Sequence, residues 1–249
     1  MIKATFNIWR GDSQSGAYKE YTTDISEGMV ALDAVHQIQK ESDNDLAVRW
    51  NCKAGKCGSC SAEINGHPRL LCMTRLSDIP LDKPITIAPM KSFPIIKDLV
   101  TDVSWNYRVK EKIKKFKPRK PDADDGTWRM AQEDIERVQE FRKCIECFLC
   151  QDVCHVLREH QLNDEFIGPR YLVHVASLDM HPLDVEDRIP ELKTAYGIGY
   201  CNITKCCTSV CPENITITDN AIIPMKERVV DRMYDPIMML FSKLWGKRR

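Results

Sequence analysis

Hydrophobic and polar residues alternate along the start of the chain. Apolar side chains occupy every second position from Ile2 to Ile8, which is the period of a strand with one buried face. The segment YKEYTTDI at 18–25 favours a strand that returns beside the first, and PITIAP at 84–89 favours a further short strand. One amphipathic helix is indicated in GMVALDAVHQIQKE, where four residues share a face: Met29, Leu32, Val35 and Ile38.

The apolar pattern changes to a helical period in the second half of the chain. Three segments predict helices there: AQEDIERVQEFRKC at 131–144, GPRYLVHVASLDM at 168–180 and DNAIIPMKERVVDRM at 219–233. The change places a domain boundary near residue 105. The sequence therefore predicts an α+β fold, with a small α+β domain over residues 1–105 and a mainly α-helical domain over residues 106–249.

A basic segment, YRVKEKIKKFKPRKP at 107–121, follows the predicted boundary. Its two prolines interrupt regular structure, and DADDG then reverses the sign of the charge. Two interpretations are open for this segment, a solvated linker and a docking strip for an acidic partner.

Composition and charge exclude several classes of protein. The 249 residues are 43% hydrophobic, enough to build a core, and 36 basic residues balance 36 acidic ones. No overall field favours binding to nucleic acid. The sequence has neither a secretory leader nor an apolar run of the roughly 18 residues that span a bilayer. A cytoplasmic, non-integral protein is expected.

Twelve cysteines are the most informative residues of the sequence. Because the cytosol keeps thiols reduced, metal binding is a better expectation than a disulfide framework. The first group has the spacing C-x4-C-x2-C-x11-C, which is the plant-type spacing for a 2Fe-2S cluster. A structural zinc site is the alternative, since zinc also takes four thiolates. The ligands expected for the 2Fe-2S cluster are Cys52, Cys57, Cys60 and Cys72.

The remaining eight cysteines lie in two related runs. KCIECFLCQDVC has the spacing C-x2-C-x2-C-x3-C, and CNITKCCTSVCP repeats it with Thr204 at the second position. In two-cluster ferredoxins the fourth cysteine of such a run binds the other cluster. One 4Fe-4S cluster is therefore expected on Cys144, Cys147, Cys150 and Cys211. The second centre is left with three ligands: Cys154, Cys201 and Cys207.

Thr204 explains why the second centre has only three ligands in register. A neutral hydroxyl is a poor ligand for soft iron-sulfur chemistry, so the corner iron is not held and a 3Fe-4S cluster is predicted. Cys206 stands out of register beside Cys207. It is interpreted as a small buried hydrophobic residue, with ligation of the empty corner as the alternative.

These cysteine groups, in this order and with Thr204 in the second run, resemble the iron-sulfur subunit of succinate dehydrogenase and fumarate reductase. The resemblance implies a β-grasp ferredoxin domain followed by a domain like two-cluster bacterial ferredoxins. It also implies that electrons pass from FAD on a flavoprotein subunit through the 2Fe-2S, 4Fe-4S and 3Fe-4S clusters to a membrane quinone. No catalytic acid, base or nucleophile is then expected in this chain.

The resemblance further implies partners and a location. The partners are a flavoprotein subunit, membrane anchor subunits and quinone, and the chain would lie peripherally on the cytoplasmic face of a bacterial plasma membrane. Its C-terminal segment, PIMMLFSKLWGKRR at 236–249, is apolar and ends in basic residues, which suits a membrane surface or an anchor subunit. The alternatives are a fumarate reductase subunit working in reverse, a soluble ferredoxin-like subunit of another dehydrogenase, and a zinc-binding interaction module.

The quinone site is where the sequence departs from the family pattern. His155 stands where proline commonly follows the fourth cysteine of the first run. Glu159 and Asn202 stand where ubiquinone-reducing members have tryptophan and histidine. The hypothesis for this chain is that His155 or His160 orders quinone or relays its protons, because both follow Cys154 closely. An unrelated packing or surface histidine is the alternative.

Overall fold

The structure, a computed structural model, describes residues 2–237 and 239–240. Most of the apolar and basic C-terminal segment, including Trp245 and the basic residues 247–249, lies outside the described residues. Within them, no helix has the length and apolar character needed to cross a membrane.

A mixed five-stranded sheet forms the first part of the molecule, in the order β2-β1-β5-β3-β4. Its first two strands pair antiparallel along their whole length, and β1 is parallel to β5. The alternation predicted at the N-terminus is confirmed from Ala4 onwards, since Ala4, Phe6 and Ile8 are buried, whereas Ile2 is exposed. The strands are β1 (Ile2–Gly11), β2 (Gly16–Ile25), β3 (Ser61–Ile64), β4 (His67–Leu70) and β5 (Ile85–Ala88).

Helix α1 (Ala31–Glu41) packs against this sheet and buries the predicted apolar face, including Leu32, Val35 and Ile38. It begins after Val30, whose side chain cannot cap a helix. Instead, the carboxylate of Asp33 accepts a hydrogen bond from the backbone N–H of Val30 at 3.1 Å, which satisfies one amide at the helix start. A sheet covered by one helix confirms the predicted α+β fold of this part.

The hairpin of β3 and β4 was not predicted. Its turn is Asn65-Gly66, and both residues have positive φ, 49° and 76°. This is the requirement of a two-residue type I′ hairpin turn, for which Asn-Gly is a favoured sequence. The hairpin matters for the candidate sites because β3 begins directly after Cys60 and β4 ends just before Cys72.

A small ribbon and a helix connect the two parts of the molecule. Strands β6 (Ile95–Lys97) and β7 (Val100–Thr101) pair antiparallel, and helix α2 (Ser104–Lys112) follows them. The first third of the basic segment is thus helical, with Val109 buried. The division at residue 105 falls in the first turn of α2 and stays a prediction.

Short helices build the second part, as the sequence predicted. All three predicted helices are shorter than their segments. A 3₁₀ turn over Glu140–Lys143 follows the first of them, a π-helical segment over Ile217–Ile222 precedes the third, and a further 3₁₀ turn lies at Ile198–Tyr200. The α-helices are α3 (Gln132–Gln139), α4 (Leu149–Asp152), α5 (His155–Arg158), α6 (Gly168–Asp179), α7 (Ile189–Lys193), α8 (Cys206–Ser209) and α9 (Ile223–Met233).

The two parts are joined by buried polar contacts beside the cysteine loops. The Ser61 hydroxyl donates to the carbonyl of Cys147 at 2.8 Å. The Glu63 carboxylate, 1% exposed, forms a salt bridge with Arg158, whose Nη1 lies 2.7 Å from Oε1 of Glu63. Breaking one partner of a buried pair leaves an uncompensated charge at a cost of about 3–5 kcal/mol, so these contacts hold the two parts in one relative position.

Gly58 of the first part lies directly against Cys147 of the second part. It has φ +68°, and a Cβ added there would lie 2.6 Å from the Cα of Cys147. An alanine would therefore force two backbone segments apart. Gly66 has a similar φ, +76°, but no atom lies within 4 Å of its added Cβ among the described residues.

We expect Gly58→Ala to destabilise the protein more than Gly66→Ala. Both variants carry the left-handed backbone penalty of roughly 1–2 kcal/mol, but only Gly58→Ala adds overpacking of about 1–3 kcal/mol. At about 2–4 °C per kcal/mol for a chain of this size, Gly58→Ala should show the clearly lower midpoint of thermal unfolding. Equal midpoints for the two variants would mean that the loop moves aside freely.

Candidate metal centres

The first cysteine group lies on the loop that leads into β3 and at the end of β4. Cys52 is exposed, Cys57 is half-buried, and Cys60 and Cys72 are buried. Backbone amides point at the sulfur atoms. Those of Ala54 and Lys56 donate to Sγ of Cys52 at 3.4 and 3.3 Å. Amides directed at thiolates favour the charged sulfur that an iron-sulfur cluster requires.

Cys57 carries the clearest electrostatic signature of this loop. Burial opposes its ionisation, but hydrogen bonds from Ser59 and Cys52 outweigh burial and lower the pKa of the thiol to about 6. Gly55 shapes the loop nearby, because it has φ +66° and an added Cβ would meet the Met73 side chain at 2.8 Å. The loop is therefore organised for a thiolate at position 57.

A cavity in the second part brings together the cysteines predicted for the 4Fe-4S cluster. Cys211 comes from the second run and faces the first three cysteines of the first run across this space. Its lining includes Cys144, Cys147, Cys150, Arg170, Cys211 and Glu213.

A second cavity brings together the cysteines predicted for the three-ligand centre. Here Cys154 of the first run faces the first and third cysteines of the second run. The lining includes Cys154, His155, Cys201, Thr204, Cys206 and Cys207. The structure thus places the fourth cysteine of each run in the cavity of the other run, although ligation itself stays a prediction.

The backbone repeats itself in the two runs. Left-handed residues occur two and four positions after the first cysteine of each run: Glu146 and Phe148 in the first, Ile203 and Lys205 in the second. Such a conformation is rare for a β-branched residue like Ile203, so its recurrence here reflects a common loop geometry. Thr204 therefore occupies the place that Cys147 occupies in the first run.

Cys206 differs from its prediction as a buried hydrophobic residue, because it is half-buried and lines the second cavity. The Thr204 hydroxyl donates to its Sγ at 3.3 Å. Cys206 opens α8, where Leu149 opens α4 in the first run. The residues that precede it, Ile203, Thr204 and Lys205, are exposed, so α8 begins at the surface and Cys206 is only half-buried.

The thiols of both cavities fit iron-sulfur clusters chemically. Burial raises the pKa of Cys147 and Cys154 to about 12 and that of Cys207 to about 11. Binding of iron must therefore displace protons and compensate buried thiolates. The twelve cysteines all lie within the described residues and form no disulfides.

A zinc site requires a closer spacing of its four donors than an iron-sulfur cluster does. Among the described residues, no group of three or more His, Cys, Asp or Glu side chains is arranged to hold a metal ion. Four thiolates around one zinc would all lie about 2.3 Å from it, whereas the thiolates of a cubic cluster bind separate irons and stand farther apart.

The two histidines proposed from the sequence are neighbours in space. His155 is half-buried and lines the second cavity, whereas His160 is exposed. Their rings meet edge to face with centroids 6.1 Å apart. The structure therefore brings His155, but not His160, to the wall of the cavity.

Sequence reasoning missed two polar side chains at these cavities. Arg170 is buried in the wall of the first cavity. The Thr218 hydroxyl lies 3.6 Å from Sγ of Cys207 in the second. Arg170 lies 16 residues beyond Cys154 and Thr218 lies 7 beyond Cys211, so the cysteine spacing gave no signal for either.

The comparisons with known proteins agree with the cysteine pattern. The family of 2Fe-2S iron-sulfur cluster binding domains matches residues 5–107, and the family of 4Fe-4S dicluster domains matches residues 140–215. The chain is similar to a fumarate reductase iron-sulfur subunit of Mycobacterium tuberculosis, with 31% identity over 202 residues and 80% of each chain covered.

Two further relatives cover nearly the whole chain. A succinate dehydrogenase iron-sulfur subunit of Paracoccus denitrificans is 28% identical over 234 residues, which cover 92% of this chain and 88% of that one. A chain of the Mycobacterium smegmatis Sdh1 complex in the apo form is 57% identical, with a TM-score of 0.91. That match covers 94% of this chain and 98% of the other.

Asp152, in α4 between Cys150 and Cys154, is a buried carboxyl group at the junction of the two parts. Its Oδ1 accepts a hydrogen bond from the Ser92 amide at 3.0 Å. Burial first, and then the neighbouring Glu63, raise its pKa to about 7. The folded state therefore favours protonated Asp152, and this contribution to stability is present below about pH 4 and is lost as the pH rises through 7.

We expect Asp152→Asn to gain stability relative to the wild type as the pH rises from 5 to 8. The amide keeps an oxygen to accept from Ser92 and carries no charge to bury. Thermal unfolding at several pH values measures the difference, with Asp124→Asn as a control for the loss of one exposed carboxylate. A difference between Asp152→Asn and wild type that is constant with pH would contradict the assignment.

Proposed function

The chain belongs to the family of iron-sulfur subunits of succinate dehydrogenase and fumarate reductase, and we propose that it conducts electrons between FAD of a flavoprotein subunit and a membrane quinone. It is thus a subunit of an oxidoreductase. Bound at the three cysteine sets, 2Fe-2S, 4Fe-4S and 3Fe-4S clusters supply one-electron redox chemistry. The succinate or fumarate chemistry itself takes place on the flavoprotein partner.

The observation that carries this proposal is the linear order of the three cysteine sets. The first loop touches the wall of the first cavity at two places: Gly58 meets Cys147, and Lys56 forms a salt bridge with Glu213 at 3.1 Å. Helix α4 then connects the two cavities, because it carries Cys150 of the first and ends two residues before Cys154 of the second. Electrons could therefore pass from one set to the next without leaving the protein.

This order and the family support the proposed partners, a flavoprotein subunit and membrane anchor subunits. The exposed Cys52 loop stands at one end of the chain of centres and suits the flavoprotein, while the second cavity stands at the other end and suits the quinone and anchor subunits. Peripheral attachment to a membrane through those subunits is consistent with the absence of a membrane-spanning helix among the described residues. The face of the membrane on which it lies, the cytoplasmic one, is part of the proposal.

Succinate oxidation is the direction we favour, because the relative with 57% identity over 94% of this chain belongs to a complex named Sdh1. Fumarate reduction is the second candidate, supported by the relative from Mycobacterium tuberculosis. The ratio of turnover with ubiquinone-like and menaquinone-like acceptors in the purified complex would begin to separate the two directions.

We expect an electron paramagnetic resonance signal from the oxidised native complex, because a 3Fe-4S centre is paramagnetic when oxidised and the other two centres are not. Thr204→Cys should abolish this signal by supplying a fourth thiolate in the place equivalent to Cys147. Cys206→Ser should retain it. Reduction should produce the signals of the other centres in the wild type and in both variants, and spin quantitation measures each signal.

A silent oxidised wild type with full iron and sulfide would contradict the three-ligand centre. In that case a restored signal in Cys206→Ser would identify Cys206 as the fourth ligand. Loss of iron and sulfide in Thr204→Cys would be detected by chemical analysis and distinguished from completion of the cube.

For the quinone, we propose that His155 is the side chain that orders it or relays its protons, with His160 supporting the His155 ring. His155→Ala should lower quinone reductase turnover at least tenfold, and His160→Ala should lower it less, while electron transfer from succinate to an artificial acceptor at the flavin is retained in both. Unchanged quinone reductase kinetics in both variants would remove the hypothesis.

A further inference from the structure

Arg170 is a buried cation in the wall of the first cavity. It lies in the first turn of α6 and is 6% exposed. Its backbone N–H donates to Oε1 of Gln151 at 3.2 Å, and Gln151 stands between Cys150 and Cys154 on α4. The helix start and its arginine are therefore tied directly to the segment that carries two of the predicted ligands.

One end of the Arg170 guanidinium is fixed by Glu146. The Nη2 atom donates to Oε1 of Glu146 at 2.6 Å, and Glu146 lies between Cys144 and Cys147. The Lys110 ammonium reaches the same oxygen at 2.7 Å. Two cations thus share one carboxylate, which leaves a net positive charge beside the four cysteines.

The other end of the guanidinium is without a partner. Among the described residues, no group accepts a hydrogen bond from the buried Nε–H of Arg170. A buried donor left in this way costs about 1–3 kcal/mol, and more when charged. A sulfur atom of a cluster held in this cavity is an acceptor of the right chemistry for that donor.

We propose that Arg170 is a positioning residue that raises the reduction potential of the centre in the first cavity, by its charge and by its free Nε–H. This inference rests on the proposed function. Reduction adds one electron to that centre and neither forms nor breaks a bond. Because the site is buried, a nearby positive charge stabilises the more negative reduced form with little screening, and hydrogen bonds to the sulfurs act in the same direction.

The described residues that line the second cavity include no buried arginine or lysine. Its basic side chain, Lys205, is exposed and forms a salt bridge with Asp219 at 2.8 Å. Near the cavity that contains Arg170, a second basic residue of α6 adds no charge. Burial and then Arg170 lower the pKa of His174 to about 4, so it is neutral at neutral pH. Of the two cavities, the first is therefore the one with a buried, permanently charged basic side chain, Arg170, among its described lining residues.

The test is a redox titration of the purified native complex, followed by electron paramagnetic resonance. Arg170→Gln should lower the equilibrium constant for one-electron reduction of the 4Fe-4S centre at least tenfold, which corresponds to 59 mV. Arg170→Lys, which keeps the charge, should lower it less. Glu146→Gln should raise it, because the uncompensated positive charge increases.

Arg228→Gln is the matched control. Arg228 forms a salt bridge with Asp179 at the far end of α6, so its removal changes the protein by the same charge away from the cavity. The 4Fe-4S potential should stay at the wild-type value in this variant. The potentials of the other two centres should shift less than that of the 4Fe-4S centre in Arg170→Gln.

An unchanged 4Fe-4S potential in Arg170→Gln would overturn the inference, as would a shift equal to that of Arg228→Gln. Arg170→Gln could lose the centre altogether, which analysis of iron and sulfide would detect. In that case the 4Fe-4S potentials of Arg170→Lys and Glu146→Gln test the inference. A wild-type or lower potential in Glu146→Gln then overturns the inference. A wild type without any reducible 4Fe-4S signal would instead count against the proposed function.

Discussion

The four-residue helix that carries the third cysteine of each run and ends before the fourth is the constraint on which the second part of the molecule depends. Helix α4 carries Cys150 and ends at Asp152, two residues before Cys154, so the chain leaves the helix between the two cysteines and their thiols line different cavities. Helix α8 does the same for Cys207 and Cys211. Each cavity needs both runs, so neither run can be positioned without the other, and the surrounding helices pack around this crossing.

Much of this arrangement could be predicted from the sequence, because thiol spacing and strand alternation are local signals. The grouping of cysteines in the two cavities follows the reciprocal pattern of the two runs. Alternation was sufficient for β1, and a helical apolar face was sufficient for α1. The β3–β4 hairpin was not predicted, although Asn65-Gly66 is a strong turn signal, because strands of four residues are too short to show a clear periodic pattern.

Other features could not be predicted because they depend on contacts between distant segments. The proximity of Arg170 to the first cavity is set by the tie between α6 and Gln151, and no spacing rule encodes it. The partial exposure of Cys206 depends on where α8 lies relative to the cavity rim. The raised pKa of Asp152 depends on its burial at the junction and on Glu63 from the first part of the chain, which only the folded arrangement brings to it.

The contact between Gly58 and Cys147 has a consequence for the rate of electron transfer. Electron tunnelling through protein falls exponentially with the distance between donor and acceptor, so a small widening of the gap slows it disproportionately. A glycine at this position lets the backbones of two cluster-binding loops approach without an intervening side chain. The absence of a side chain at Gly58 thus allows a shorter tunnelling path between the two loops, and the polar contacts of Ser61 and Glu63 hold the two parts together.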